Sequence, residues 1–123
     1  MAPAYLHRVR ERSLLVDATS LDVFLSRQPM RIHCLKIDAE SAELEILRGA
    51  VHTLDAQRPI VIVEVGDLGM PAAPRSAQVI EFLCARGYQA WEWHAGMLHP
   101  HTLREHYAAG NLIFVHPESN NDC

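Results

Sequence analysis

Apolar residues in this chain gather into short runs, and the spacing between the runs changes from strand-like to helical and back. Leu14, Leu15 and Val16 lead into Asp17-Ala18-Thr19-Ser20, after which Leu21, Val23, Phe24 and Leu25 recur at helical spacing. This predicts a strand, a cap and a short helix, with Ser20 or Thr19 as the N-cap and Pro29 marking the exit. The run from Ile32 to Asp38 is brief and apolar, and an acidic stretch from Ala39 to Arg48 follows at once, so a strand feeding a helix is expected. Leu44, Leu47, Val51 and Leu54 fall three or four apart on one helical face, with Glu43, Glu45 and Arg48 toward the other. Gly49 either ends that helix or bends it on its way to Leu54.

Pro59 to Val65 is the clearest strand, unbroken, β-branched and bounded by Pro59 and Gly66. Its lack of alternation predicts burial on both faces, as in a parallel sheet covered by helices. A loop from Gly66 to Pro74 follows. Ser76 then caps a helix that buries Val79, Ile80, Leu83 and Cys84 and that Gly87 ends. Tyr88 to Trp93 alternates weakly as a strand, His94 to Gly110 reads as an irregular excursion, and Asn111 to Val115 forms a last strand before Pro117. Alternating strands and helices predict an α/β fold, an open, mostly parallel, Rossmann-like sheet with flanking helices.

At 123 residues the chain is about one domain, and 49% hydrophobic with 21% charged residues is ordinary globular usage. Residues 1–13, with Arg8, Arg10 and Arg12, read as a flexible basic tail, 14–117 as the folded unit and 118–123 as a polar tail. Eleven cations against 15 anions leave a net charge of -4, so no global field draws the chain to nucleic acid or to an anionic membrane. Three widely spaced cysteines form no disulfide framework, and neither a signal peptide nor a run of about 20 apolar residues is present, which points to the cytoplasm. Cys34 and Cys84 sit in apolar runs and read as small buried hydrophobes.

In open α/β sheets ligands bind beyond the carboxyl ends of the strands. Asp38 and Glu40 follow one such strand and Glu64 closes another. If the two strands are neighbours, the three carboxylates meet on one rim, able to hold a cation, an amine or ribose hydroxyls, or to take a proton. The plainer reading is that Asp38 caps the next helix and Glu40 complements its dipole. His94, His99, His101 and His106, with Glu105, lie close together but meet no recognised ligand spacing, so no metal site is assigned. Trp91 and Trp93 could stack a ligand base, and on a strand they equally serve as sheet cover.

The segment Leu35-Lys36-Ile37-Asp38-Ala39-Glu40-Ser41-Ala42-Glu43-Leu44-Glu45-Ile46-Leu47-Arg48-Gly49-Ala50 closely resembles the L-K-I-D-x-E-G-x-E-x-x-x-L-x-G-A signature of FkbM-type S-adenosylmethionine-dependent methyltransferases. Thr19-Ser20-Leu21-Asp22 resembles that family's T-L-D segment, Arg58-Pro59 through Glu64 its R-P-x-x-x-x-E strand, and Gly87-Tyr88 and Asn111 to Phe114 its G-Y and N-x-x-F landmarks. The resemblance implies the second half of a class I methyltransferase sheet with its last strand antiparallel. It also implies methyl transfer from S-adenosylmethionine to an oxygen of a sugar or natural-product hydroxyl, with Asp38 and Glu40 at the catalytic pocket and Asp38 and Glu64 toward the cofactor.

Two departures qualify that picture. Ser41 stands where the family has Gly, which puts a Cβ at a position suited to close approach or positive φ. The glycine-rich D-x-G-A-x-x-G loop of the family's first half does not appear, so the chain reads as a C-terminal half-domain. The resemblance further implies that the strand at 34–38 has an open edge, available for a homodimer or for docking a separate N-terminal half. Two other readings stand beside the enzyme: a non-catalytic fragment serving as an oligomerisation or interaction module, and a metal-binding module built on the His94 to His106 loop.

Overall fold

The computed structural model describes residues 13–67 and 76–119. Along the chain run α1 (Leu21–Arg27), β1 (Cys34–Ile37), α2 (Glu43–Arg48), α3 (Val51–Gln57), β2 (Ile60–Val65), α4 (Ser76–Cys84), β3 (Gln89–His94), β4 (Met97–Pro100) and β5 (Gly110–Val115). Residues 1–12, with the arginine cluster, and most of the loop after Gly66 lie outside the described residues. Among those described, no helix is long and apolar enough to cross a membrane.

The strands form one open five-stranded sheet in the order β1-β2-β5-β3-β4. Only β1 and β2 are parallel neighbours; β5 is antiparallel to β2 and to β3, and β4 to β3. The sheet is therefore mixed, not mostly parallel as expected, because the last strand inserts in reverse between β2 and β3. A second departure adds to this. The stretch after His94 is not irregular: Ala95 and Gly96 both take positive φ, 50° and 76°, and this two-residue turn folds β4 back on β3 as a hairpin. Two φ > 0 residues normally call for Asn-Gly or Gly-Gly, and Ala-Gly carries a weaker signal.

Leu14 to Val16 form no strand; they are 85%, 99% and 68% exposed, and among the described residues nothing pairs with the outer edge of β1. The expected caps fare differently. Ser20 Oγ accepts from Val23 N at 3.2 Å, as predicted, and α1 stops at Arg27 just before Pro29. Ser76 does not cap α4: its Oγ accepts from Gly66 N at 2.9 Å, while the Asp67 carboxylate accepts from Ser76 N at 3.1 Å. Gly49 separates α2 from α3. Its φ of −77° needs no glycine, but a Cβ there would stand 2.8 Å from Ser20 Cβ, so α1 and α2 can approach only over bare backbone.

The core lies on one side of the sheet. Ile37, Val61, Val63, Val65, Leu112 and Phe114 face Leu44 and Leu47 of α2, Leu54 of α3, and Val79, Ile80 and Leu83 of α4. Burial along β2 alternates, with Val61, Val63 and Val65 at 5% exposure or less and Ile60, Ile62 and Glu64 half-buried. The expectation of two covered faces is thus corrected: the helices pack on one face, and the run of β-branched residues reflects strand propensity without double burial. Cys34 and Cys84 are likewise exposed free thiols, since Cys34 lies on the uncovered face and Cys84 on the outside of α4.

Candidate active site

The parallel pairing of β1 with β2 matches Ile37 to Val63, so the next residue on each strand, Asp38 and Glu64, emerge side by side at the carboxyl end of the pair. The neighbouring Asp38 carboxyl, by hydrogen bonding and by its charge, raises the Glu64 carboxyl above its ordinary value, with burial and the Glu40 charge adding to this against the lowering effect of Lys36. Asp38 therefore does not serve as a helix cap; Ala42 precedes α2 and offers no side-chain cap.

Lys36 and Asn111 complete this corner. Asn111 sits opposite Glu64 in the β2–β5 register, and its Oδ1 accepts from Lys36 Nζ at 2.9 Å. Both lie within the sequence landmarks but were assigned no role there, since nothing local places residue 36 beside residue 111. The reversal of β5 brings them together.

The expected helix from Ala39 begins only at Glu43, because Glu40 and Ser41 both take positive φ, 47° and 78°. Ser41 occupies the left-handed region that the family's glycine would adopt without cost. Glu43 was expected on the solvent side of the helix, yet it is 8% exposed and its Oε1 accepts from Ala39 N at 3.1 Å. This carboxylate turns back across the turn and fixes the strand-to-helix passage.

Asp38, Glu40, Ser41, Glu64 and Gly66 line a cleft of about 60 Å³ that Ala109 closes from the β5 side. The Ala109 loop is held by polar links. Asp67 is tied to Tyr107 twice: its N–H donates to Tyr107 O at 2.9 Å, and its side-chain Oδ2 accepts from Tyr107 N at 2.9 Å. The Ser76 N–H first, and the Tyr107 N–H with it, hold the Asp67 carboxyl below its usual range despite burial. Behind Tyr107, its hydroxyl accepts from Arg104 N at 2.9 Å and meets His101 Nε2 at 2.7 Å, while His101 Nδ1 lies 3.1 Å from Glu92. The histidine-rich stretch thus supplies a buried bracing residue. Among the described residues no group of three or more His, Cys, Asp or Glu is placed to hold a metal ion.

A roomier groove, about 780 Å³, lies at the other ends of β1 and β2 between Pro29, Met30, Arg31, Asp55, Arg58 and Glu118. It is an open trough in which Arg58 pairs with Glu118, and Asp55 is engaged by Arg86 at 2.8 Å. Ligands of α/β sheets bind at the carboxyl ends of parallel strands, so the small acidic cleft is the better candidate despite its size.

The cleft is acidic and small. Sites for whole cofactors occupy about 300–1,000 Å³, so this cleft by itself does not enclose one. No curated protein and no solved structure matches the chain. A family model described as the methyltransferase FkbM domain matches residues 3–90, more than two thirds of the chain, from upstream of α1 through the start of β3. On that match, the chain belongs to the FkbM methyltransferase domain family.

Proposed function

We propose that the chain contributes the acceptor-orienting corner of an S-adenosylmethionine-dependent O-methyltransferase acting on a small-molecule or glycan hydroxyl. The observation that carries this reading is the Asp38–Glu64 carboxyl pair at the carboxyl end of the parallel strands, with Lys36 and Asn111 beside it. The order β1-β2-β5-β3, with β5 reversed, supports reading the sheet as the second half of a class I methyltransferase sheet. Free Cys34 and Cys84 suit a reducing cytoplasm.

S-adenosylmethionine supplies an activated methyl group when bound. The chain's own part is positioning and proton transfer. A hydroxyl donating to Glu64 or Asp38 is held in place, and the ionised Glu64 carboxylate accepts its proton as the oxygen takes the methyl group. Glu40 extends the negative rim, which attracts cationic groups and disfavours anionic acceptors. No step is assigned to a donor pocket, because the cleft does not enclose one.

Calorimetric titration with S-adenosylmethionine, followed by transfer of labelled methyl to a panel of sugar and phenolic hydroxyls, tests the reading. Donor binding and transfer that fall on Glu64→Gln and Asp38→Asn are expected. No heat at millimolar donor and no transfer overturn the enzyme reading and favour a second one, an interaction module, for which the uncovered sheet face speaks.

A further inference from the structure

His116, just past β5, lies at the end of the sheet opposite the acidic cleft, where three turns meet. Its ring packs edge-on against Tyr88, with centroids 5.4 Å apart and planes at 80°. Its Nε2 stands over Gly87, so close that a Cβ there would come within 2.6 Å, and Gly87 takes a left-handed φ of 90° that any side chain would oppose. Arg58, itself left-handed, holds the turn between α3 and β2 on another side.

Beyond β5 the chain closes on itself. Glu118 N donates to His116 Nδ1 at 3.0 Å, Ser119 N to His116 O at 2.8 Å, and His116 N to Ser119 Oγ at 3.0 Å. Asn and Asp commonly make the first of these bonds, a side-chain oxygen accepting from the N–H two residues on, and a following proline favours the same turn. An imidazole in that place differs in one respect: Nδ1 accepts only while it carries no proton. The tautomer is thereby fixed, with the remaining ring proton on Nε2 and the Arg86 carbonyl as its acceptor.

Four groups surround the ring: Arg58 from the α3–β2 turn, Arg86 and the Tyr88 phenol from the α4–β3 turn, and Glu118 from its own. Arg86 is engaged by Asp55 at 2.8 Å, Tyr88 donates to Pro59 O at 2.8 Å, and Glu118 pairs with Arg58. Burial first, and the Arg58 charge with it, hold the imidazole below its ordinary 6.5, outweighing the Arg86 carbonyl, which favours the charged ring. Proton uptake then sets a ring N–H against the Glu118 N–H, and two donors cannot share that bond.

We propose that His116 is an acid-released latch: neutral, it closes the turn from Pro117 to Ser119 and keeps Glu118 on Arg58; protonated, it opens the turn and leaves the Arg58 guanidinium free in the broad groove that Arg58 and Glu118 line. The latch stands on these contacts and does not depend on the methyltransferase reading.

NMR titration of the full chain through the histidine range is the test, reading the His116 ring, the Glu118 amide and the Arg58 Nε–H in one series. His116 is expected to titrate below 6.5, with the Glu118 amide and the Arg58 Nε–H shifting at the same midpoint and the amide exchanging at least about tenfold faster beneath it. Glu118→Gln should keep the amide shift, which separates the latch from titration of the Glu118 carboxylate. His116→Asn supplies an acceptor that does not titrate and should abolish both shifts. If that variant does not fold, the wild-type and Glu118→Gln series decide. A Glu118 amide or an Arg58 signal that ignores the His116 midpoint, or an amide shift lost in Glu118→Gln, overturns the proposal.

Discussion

Replacing Asp22 by alanine removes a side chain that joins α1 to the start of α3. Its Oδ2 accepts from His52 N at 2.8 Å, and its Oδ1 accepts from Thr53 N at 3.0 Å and from the Thr53 hydroxyl at 2.7 Å. Ala50, which precedes α3, has no side chain able to cap, so Asp22 serves as the cap from the neighbouring helix. Losing an N-cap costs about 1 kcal/mol. Thr53 is 2% exposed, and a buried hydroxyl left without its acceptor costs roughly another 1–3 kcal/mol. Asp22→Ala should therefore destabilise by about 3 kcal/mol, a fall of roughly 12 °C in Tm for a domain of this size. Urea unfolding gives the number, and a cycle with Thr53→Val should show coupling of about 1 kcal/mol or more. A loss under about 0.5 kcal/mol, or strict additivity with Thr53→Val, would refute the reasoning. The pH dependence supplies a second check. Burial alone would raise the Asp22 carboxyl, but the Thr53 hydroxyl and the two N–H donors outweigh it and hold the carboxyl below its ordinary 3.8. A depressed folded value means that the stabilisation is complete above about pH 4 and is lost as pH falls through the folded value. The gap between wild type and Asp22→Ala should close in acid.

Three further outcomes are expected. Ser41→Gly should raise stability by about 1 kcal/mol in urea unfolding, because relief of a left-handed non-glycine residue outweighs the added freedom of glycine in the unfolded chain; a fall in stability would show that Ser41 is not strained. Tyr107→Phe should cost about 2 kcal/mol and speed exchange of the Arg104 amide, since it leaves that N–H and the enclosed His101 Nε2 without their partner; unchanged stability and exchange would show that the loop is braced elsewhere. In a methyl-transfer assay the acid limb of the rate profile should lie above the usual glutamate range, as the raised Glu64 carboxyl must first ionise, and Asp38→Asn should move that limb to lower pH; a limb that stays in place removes Glu64 from the proton path.

Most strand and helix positions were legible because β2 and β5 carry β-branched apolar runs and the helices repeat at three and four. What could not be read was which neighbour each element would find. Ile60 to Val65 has the same composition whether one face or two are covered, and only the placement of α2, α3 and α4 decides it. Leu14 to Val16 looked like a strand but stand exposed and join no sheet edge among the described residues. Asp38 and Glu64 were legible as a pair because parallel register preserves strand ends. Lys36 and Asn111 were not, because their meeting depends on the reversal of β5, and Glu43 was missed because its carboxylate turns back toward the chain instead of outward.

The turn at Glu40 and Ser41 links these points to the chemistry. Two successive left-handed residues are unfavourable for any side chain, and here both ends of the turn are fixed. Ile37 is locked in the sheet, Glu43 holds the Ala39 N–H, and Ala42 N donates to Ala39 O at 3.1 Å. The chain is thereby turned so that Glu40 lines the cleft beside Asp38 and Glu64, where its charge helps to raise the Glu64 carboxyl. Glycine at position 41 would relax the turn and free it at once. Stability and the placement of Glu40 therefore pull in opposite directions at this residue. A serine here gives up some folding free energy and keeps a stiffer rim on the acidic cleft.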